Sequence, residues 1–122
     1  MVVQVYISGV SGNTEVKSRQ QRVLSILDAK SIDYEIVDIT GEDSESHKIF
    51  MRSNATSLGG TMNDPNPKYP LPPQFFNNDV YCGDYNLFDT ANELGELDIF
   101  LKLVDGVSSN DQKISTAEIV LK

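Results

Sequence analysis

The stretch KYPLPPQFFNN, residues 68 to 78, decides how the rest of the chain is interpreted. Its proline-rich motif comprises Pro70, Leu71, Pro72, Pro73, Gln74, Phe75 and Phe76. The first four residues form a PxxP segment, which SH3 domains bind as a left-handed polyproline helix. The last three residues combine an amide with two aromatic rings and are typical of the start of a buried strand. The motif is therefore either a displayed ligand or part of the core.

The flanking residues favour a place in the core. Lys68 lies one residue short of the spacing of class I SH3 ligands, and Phe75 stands where class II ligands carry a cation. A domain that recognises PPxxF would need Phe76, which a central strand would bury. We therefore expect most of the motif to be architectural, and SH3 binding by the folded protein is the second interpretation. The residues expected to stay exposed at the end of the preceding loop are Tyr69, Pro70 and Leu71.

Length and charge restrict the class of protein. The 122 residues suit one domain, assigned to residues 1–105, followed by a flexible tail at residues 106–122. The net charge of −8 repels phosphate backbones and anionic lipid surfaces, so we expect neither nucleic acid nor membrane as a partner. The N-terminus resembles neither a signal peptide nor a membrane span, which indicates the cytoplasm, with the nucleus as a further compartment.

Cysteine and histidine each occur once in the sequence. Cys82 is the only cysteine, so a monomer can form neither a disulfide nor a Cys₂ or Cys₄ metal site. We interpret Cys82 as a small buried apolar residue rather than a nucleophile. His47 is the only histidine and has no partner pattern. The sequence predicts no catalytic residue, no cofactor and no metal, in a chain that we expect to be a monomer.

Hydrophobic periodicity predicts four strands and four helices. The strands are expected at residues 2–7, 34–39, 74–77 and 80–82, with a hairpin turn at Asn78-Asp79. The helices are expected to begin and end at residues 13–30, 44–52, 84–95 and 97–104, with Asn13 and Asp84 as caps. Residues expected to face inward from the third helix are Leu87, Phe88, Ala91 and Leu94. A basic cluster expected on a solvated face of the first helix comprises Lys17, Arg19 and Arg22.

The order of these elements, β-α-β-α-β-β-α-α, predicts the fold class. The strand–helix–strand start implies a right-handed parallel crossover, and the hairpin adds antiparallel strands. The sequence therefore predicts an α/β protein with a four-stranded mixed sheet and helices on both faces, a three-layer α/β/α arrangement.

Several segments resemble known sequences. VQVYIS (residues 3–8), PPQFF (72–76) and YCGDYNLFDTANELGELDIFL (81–101) are similar to segments of glutaredoxins, which have a thioredoxin-like fold. Three segments, VYISGVSGNTEVKSRQQRVLSIL, YPLPPQFFN and GDYNLFDTANE, together resemble the SH3-domain-binding glutamic acid-rich-like family, over about residues 2–104. The chain lacks the glutamate-rich tail of the longest members and is similar to the short ones.

The resemblance implies a scaffold that has lost its redox site. Glutaredoxin chemistry needs a low-pKa thiolate at the start of the first helix, and residues 8–13, SGVSGN, contain no cysteine. The resemblance also implies that Pro73 is a cis-proline and that a glutathione-like ligand would meet Pro73, Gln74 and the start of the third helix. The vestigial groove that it implies comprises Ser8, Ser11, Asn13, Tyr69, Gly83, Asp84 and Tyr85.

Three hypotheses of function follow from the resemblance and the residues. The family is described as small cytosolic adaptors or modulators, which implies a non-enzymatic binder of protein partners, SH3-domain proteins among them. The alternative is a small-molecule binder that takes glutathione without turning it over. Residual thiol chemistry through Cys82 is the third hypothesis.

Overall fold

The chain forms eight elements of secondary structure in the predicted order. The structure is a computed structural model that describes residues 2–62 and 64–104, so the predicted tail at residues 106–122 lies outside the described residues. The strands are β1 Val3–Ile7, β2 Glu35–Asp38, β3 Gln74–Asn77 and β4 Val80–Asp84. The helices are α1 Thr14–Ala29, α2 Glu45–Asn54, α3 Tyr85–Glu93 and α4 Leu97–Phe100. None of the helices in the described residues is long and apolar enough to cross a membrane.

The four strands form one mixed sheet in the order β2-β1-β3-β4. β1 is parallel to β2 and antiparallel to β3, which is antiparallel to β4. Asn78 and Asp79 close the β3–β4 hairpin with φ angles of 50° and 66°, the left-handed conformation that a type I′ turn requires at both central positions. The predicted α/β class, the mixed sheet and the hairpin are confirmed.

Capping residues mark the starts of α1 and α3 and the end of α3. Asn13 caps α1, because its side-chain oxygen accepts hydrogen bonds from two backbone N–H groups of the first turn, at 2.9 and 3.1 Å. Asp84 caps α3 by accepting from the N–H of Leu87 at 3.0 Å. Gly95, with a φ of 69°, ends α3 in the left-handed conformation that favours glycine. All three residues have the roles predicted for them.

β3 contributes to both hydrophobic cores. Successive side chains of a strand point to opposite faces of the sheet. Phe75 packs on the face covered by α1, α3 and α4, and its ring centroid lies 4.8 Å from that of Phe88. Phe76 packs on the face covered by α2, with ring centroids 4.9 Å from Tyr6 and 5.3 Å from Phe50. Both phenylalanines are fully buried, so this half of the proline-rich motif is core.

Gln74 ties β3 to the segments around it through a buried side-chain amide. Its Nε2 donates to the carbonyl oxygens of Ser57 and Leu71, at 3.0 and 2.9 Å. Its Oε1 accepts from the hydroxyl of Tyr81 at 2.7 Å. Burial raises the pKa of Tyr81, which keeps this hydroxyl protonated as a donor. Because the amide uses its donors and its acceptor, it holds the chain on either side of β3 in place.

The prediction of inward-facing residues in α3 is wrong for two of its four members. Leu87 and Leu94 are 47% and 64% exposed, because α3 lies at the edge strand β4 and buries only a narrow stripe of its surface. The last helix is shorter than the predicted residues 97–104. It ends at Phe100, and Lys102, with a φ of 58°, then redirects the chain, so that Val104 is exposed.

The basic cluster on α1 is solvated only in part. Lys17 and Arg22 are exposed as predicted. The side chain of Arg19 is only 12% exposed and forms an ion pair with Glu15 at 2.9 Å, so the prediction for Arg19 is wrong. The reason is a tertiary contact, because the guanidinium lies 4.8 Å from the centroid of the Tyr85 ring.

We expect the backbone amides of Gln74, Phe75 and Phe76 to exchange slowly with solvent. These residues pair with strands on both sides, so their exchange requires opening of the sheet. Protection factors of about 10³ or more, measured by native-state hydrogen exchange, would fit opening by near-global unfolding. The amide of Gly12, in an exposed turn, serves as the fast reference. Fast exchange at all three residues would instead mean that the motif detaches readily from the sheet.

Replacing Gln74 should destabilise the fold more than replacing its partner Tyr81. Gln74→Leu leaves two part-buried carbonyl oxygens and the Tyr81 hydroxyl without their partner, and we expect a loss of about 2 kcal/mol or more in the free energy of unfolding. Tyr81→Phe removes a single hydroxyl, and we expect a loss of about 1 kcal/mol. Urea unfolding measures both losses. Equal stability of Gln74→Leu and the parent protein would contradict a supporting role for this amide.

Candidate functional site

An open cleft of about 390 Å³ lies between the end of β1, the start of α1, α2 and the segment before β3. It brings together four residues of the predicted groove, Ser8, Ser11, Asn13 and Tyr69. Three residues of the proline-rich motif, Pro70, Leu71 and Pro72, form another part of its wall. The structure therefore assembles this part of the predicted groove from residues about sixty positions apart in the sequence.

The turn between β1 and α1 is held by side chains from neighbouring elements. The side-chain amide of Gln20 accepts from the N–H of Ser8 at 2.8 Å and donates to its carbonyl oxygen at 3.1 Å. Asp38, at the end of β2, accepts from the N–H of Gly9 at 3.1 Å. Desolvation acts to raise the pKa of Asp38, but hydrogen bonds from Thr40 and Gly9 outweigh it and hold the pKa below its ordinary value. The turn is thus rigidly supported.

The start of α1 offers little to an anion or a thiolate. Asn13 Oδ1 already accepts from the N–H groups of Glu15 and Val16, which are the donors that a helix N-terminus would otherwise present. Residues 8–13 contain no cysteine. Glutaredoxins carry their reactive cysteine at this position. Here residues 8–13 offer no thiol, and the Asn13 side chain already accepts from the N–H groups of Glu15 and Val16, which could otherwise stabilise a thiolate.

Gly83, Asp84 and Tyr85, which the sequence placed in the same groove, do not line this cleft. A Cβ added at Gly59 would lie 3.0 Å from the carbonyl oxygen of Leu71 and 3.8 Å from the Cβ of Asp84, so this loop residue sits between the two parts. Arg19 Nη1 donates to the Gly59 carbonyl at 3.3 Å. The loop at residues 57–60 and the Arg19 side chain therefore divide the predicted groove.

The backbone beside the cis-proline lacks the donors that a glutathione-like ligand would pair with. The Pro72–Pro73 peptide bond is cis, as predicted. Neither proline has an N–H. The N–H of Leu71 donates to the carbonyl of Leu58 at 2.8 Å, and Gln74 is paired with β1 and β4. At the start of α3, Asp84 already accepts from the helix.

The proline-rich motif is buried along most of its length. Pro70, Pro72 and Pro73 are buried, and Leu71 is half-buried. The expectation that Pro70 and Leu71 stay exposed is thus wrong for Pro70 and only partly right for Leu71, because both form the cleft wall that β3 anchors. Tyr69 is 45% exposed, and it is the residue of the expected trio that lies at the surface.

The cleft carries an excess of positive charge that the sequence reasoning missed. Lys48 and Arg52 on α2 and Lys68 on the loop line it together with one carboxylate, Asp64. The guanidinium of Arg52 lies over the Tyr69 ring, 4.0 Å from its centroid. The spacing of Lys48 and Arg52, one helical turn apart, could have indicated a shared face. Their approach to Lys68 depends on tertiary structure.

Cys82 lies in β4, away from the cleft. It is half-buried, and burial raises the pKa of its thiol to about 11. A nearby coulombic interaction with Lys102 lowers this pKa by less than burial raises it. Within residues 2–62 and 64–104 no group of three or more His, Cys, Asp or Glu side chains is placed to hold a metal ion.

Comparisons with known proteins agree with the resemblance drawn from the sequence. The sequence model of the family described as SH3-binding, glutamic acid-rich protein matches residues 1–104. A Drosophila melanogaster protein named "SH3 domain-binding glutamic acid-rich protein homolog" is 57% identical over 122 residues, which are 100% of this chain and 75% of that protein.

A solved structure, that of the C. albicans actin interacting protein Aip5, is also similar. It superposes with a TM-score of 0.59 at 27% sequence identity, and the match covers 84% of this chain and 90% of that one. The likeness agrees with the α/β fold class predicted from the order of elements. The family match extends from β1 through α4. The chain therefore belongs to the SH3-binding, glutamic acid-rich protein family.

Proposed function

We propose that this chain is a protein-binding adaptor or modulator without enzymatic activity, and that it binds its partners on the folded cleft beside Tyr69. The observation that carries the proposal is the cleft itself, which joins an exposed aromatic ring, apolar walls and cationic side chains. Aromatic residues and arginines at pockets are the groups that contribute most to protein interfaces. The names of the matching family and relative are those of binding proteins.

SH3-domain proteins are candidate partners, because the family and the Drosophila relative carry that name. An SH3 domain that bound the motif as a polyproline ligand would need access to the rings of Pro70, Pro72 and Pro73. These rings are buried, so we propose that such partners recognise the folded surface rather than an exposed PxxP peptide. The buried prolines act in this proposal as the wall that positions Tyr69.

Thiol chemistry is not part of the proposal. The thiolate is the nucleophilic form of cysteine, and the start of α1 has no thiol to form one. A pKa of about 11 leaves Cys82 almost entirely protonated at neutral pH. The absence of free backbone donors at the two prolines, with the use of the Leu71 N–H, weighs against the glutathione alternative. As compartments for the adaptor we propose the cytoplasm and, second, the nucleus.

The cleft proposal predicts that Tyr69→Ala and Ser11→Arg reduce partner binding. The first removes the exposed ring and the second inserts a long cationic side chain, and we expect each to weaken affinity about 10-fold or more. Immobilised protein would be used to capture partners from cytosolic extract, with each captured protein quantified and then titrated. Leu94→Ala truncates an exposed apolar side chain outside the cleft and is the matched control.

If the same partners bind Tyr69→Ala and Ser11→Arg with unchanged affinity and lose binding to Leu94→Ala, the interface lies on the surface of α3 and not at the cleft. Thermal unfolding of each variant identifies any loss of binding that comes from loss of the fold.

The raised pKa of Cys82 predicts slow alkylation. At pH 8 we expect iodoacetamide to react about 100-fold more slowly with the folded chain than with the chain unfolded in guanidinium, because less thiolate is present. The rate should keep rising as the pH approaches 11, whereas the rate of the unfolded chain levels off near pH 9. Cys82→Ser is the blank. A folded-state rate equal to the unfolded one at pH 8 would restore the hypothesis of thiol chemistry.

A further inference from the structure

Three cations converge on the cleft of a strongly acidic protein. The chain has a net charge of −8, yet Lys48, Arg52 and Lys68 line one cleft in which Asp64 is the carboxylate. Clefts lined by one sign of charge focus the electrostatic potential and attract groups of the opposite sign. Among the charged side chains that line the cleft, cations outnumber carboxylates by three to one, the reverse of the balance in the whole chain.

Nearby carboxylates neutralise these three cations only weakly. Lys48 pairs with Glu45 at 3.9 Å, and the Glu45 side chain is 75% exposed, so this pair is loose. Arg52 and Lys68 make no ion pair within the described ranges 2–62 and 64–104. By contrast, Arg19 on α1 is paired with Glu15 at 2.9 Å. The positive charge of the cleft is thus available to a ligand.

The Tyr69 ring holds one of the cations in position. The Arg52 guanidinium lies 4.0 Å from the ring centroid, and Lys68 Nζ lies 5.6 Å from the same centroid. A guanidinium that packs on an aromatic ring keeps N–H groups at its edge for a carboxylate, which it can bind through two parallel hydrogen bonds. Tyr69 itself is 45% exposed and can contact a ligand beside Arg52.

The remaining walls are apolar and the cleft is small. Val16, Ile39, Pro70 and Pro72 line it beside the cations. A volume of about 390 Å³ is enough for a few side chains rather than for a folded element. Such a cleft fits carboxylates that flank an apolar side chain on an extended segment.

A long polyanion is a poor occupant. A nucleic acid or an anionic bilayer would extend over the rest of the surface, where the charge of −8 repels it. A short segment senses mainly the charges within a Debye length, about 8 Å at physiological ionic strength. The local cations therefore outweigh the repulsion from the remainder of the chain only for a short ligand.

We infer that the cleft binds a short extended segment of a partner protein that carries Asp or Glu side chains on either side of an apolar residue. This inference rests on the proposed function and specifies the chemistry of the partner. Arg52 and Lys68 bind the carboxylates, Tyr69 supports Arg52, and the half-buried Leu71 of the cleft wall contacts the apolar side chain.

The probe that tests the inference is a fluorescein-labelled dodecapeptide that alternates Glu and Ser around a central Leu. Its control replaces every Glu by Gln. Fluorescence anisotropy with the full chain should show binding of the Glu peptide that weakens between 50 and 200 mM NaCl, and binding at least about 10-fold weaker for the Gln peptide. Equal affinity for the two peptides would overturn the inference.

Charge-matched variants locate the site. We expect Arg52→Gln and Lys68→Gln each to weaken the Glu peptide about 5-fold to 10-fold, the effect of one lost charge-assisted contact. Lys17→Gln removes the same charge from an exposed position on α1 outside the cleft and should leave affinity unchanged. Losses of equal size in all three variants would reduce the binding to net charge and overturn the inference.

Two further arms separate the possible outcomes. If sodium phosphate displaces the Glu peptide at submillimolar concentration at matched ionic strength, the cleft is a phosphate site and the peptide inference is overturned. If the Glu peptide fails to bind while Tyr69→Ala still abolishes partner capture, the acidic chemistry is wrong and the cleft remains the interface. If the Glu peptide fails to bind and Tyr69→Ala also leaves partner capture unchanged, the proposed function fails as well.

Discussion

The central position of β3 is the constraint on which the rest of the structure depends. A strand with neighbours on both sides commits its backbone to the sheet, and its side chains must then fill both faces. Phe75 and Phe76 satisfy this demand in two consecutive positions, one ring for each core. The helices are distributed accordingly, with α2 on the face of Phe76 and the other three on the face of Phe75. The motif that resembles an SH3 ligand is thereby built into the fold.

The same strand positions the candidate site. Gln74 bonds to the carbonyl oxygens of Ser57 and Leu71, and the Leu71 N–H bonds to Leu58. These contacts hold the residues before β3 as a wall, at the rim of which Tyr69 is exposed. The prolines thus give the candidate cleft its shape. A buried polar network of this kind specifies one arrangement because each unmet bond would be costly.

The start of α1 differs from a helix start that would stabilise a thiolate. A helix N-terminus next to a cysteine stabilises a thiolate, whereas here Asn13 uses the donors of α1 and the turn contains serines. The cations of the candidate cleft lie instead on α2 and on the loop at Lys68. Side-chain cations reach further than backbone donors and suit a ligand on the protein surface.

The sequence by itself predicted the caps, turns and strands that depend on neighbouring residues. Asn13 and Asp84 as caps, Gly95 as a helix end and Asn78-Asp79 as a turn each act within a few residues, and the adjacent rings of Phe75 and Phe76 favoured a strand buried on both faces. Only the tertiary structure decided what depends on distant segments. The burial of Pro70, the Gly59–Arg19 division of the groove, the exposure of Leu94 and the convergence of Arg52 with Lys68 all arise from contacts between separate elements. Such contacts leave no periodic trace in the sequence, because each depends on where the folded chain places its partner.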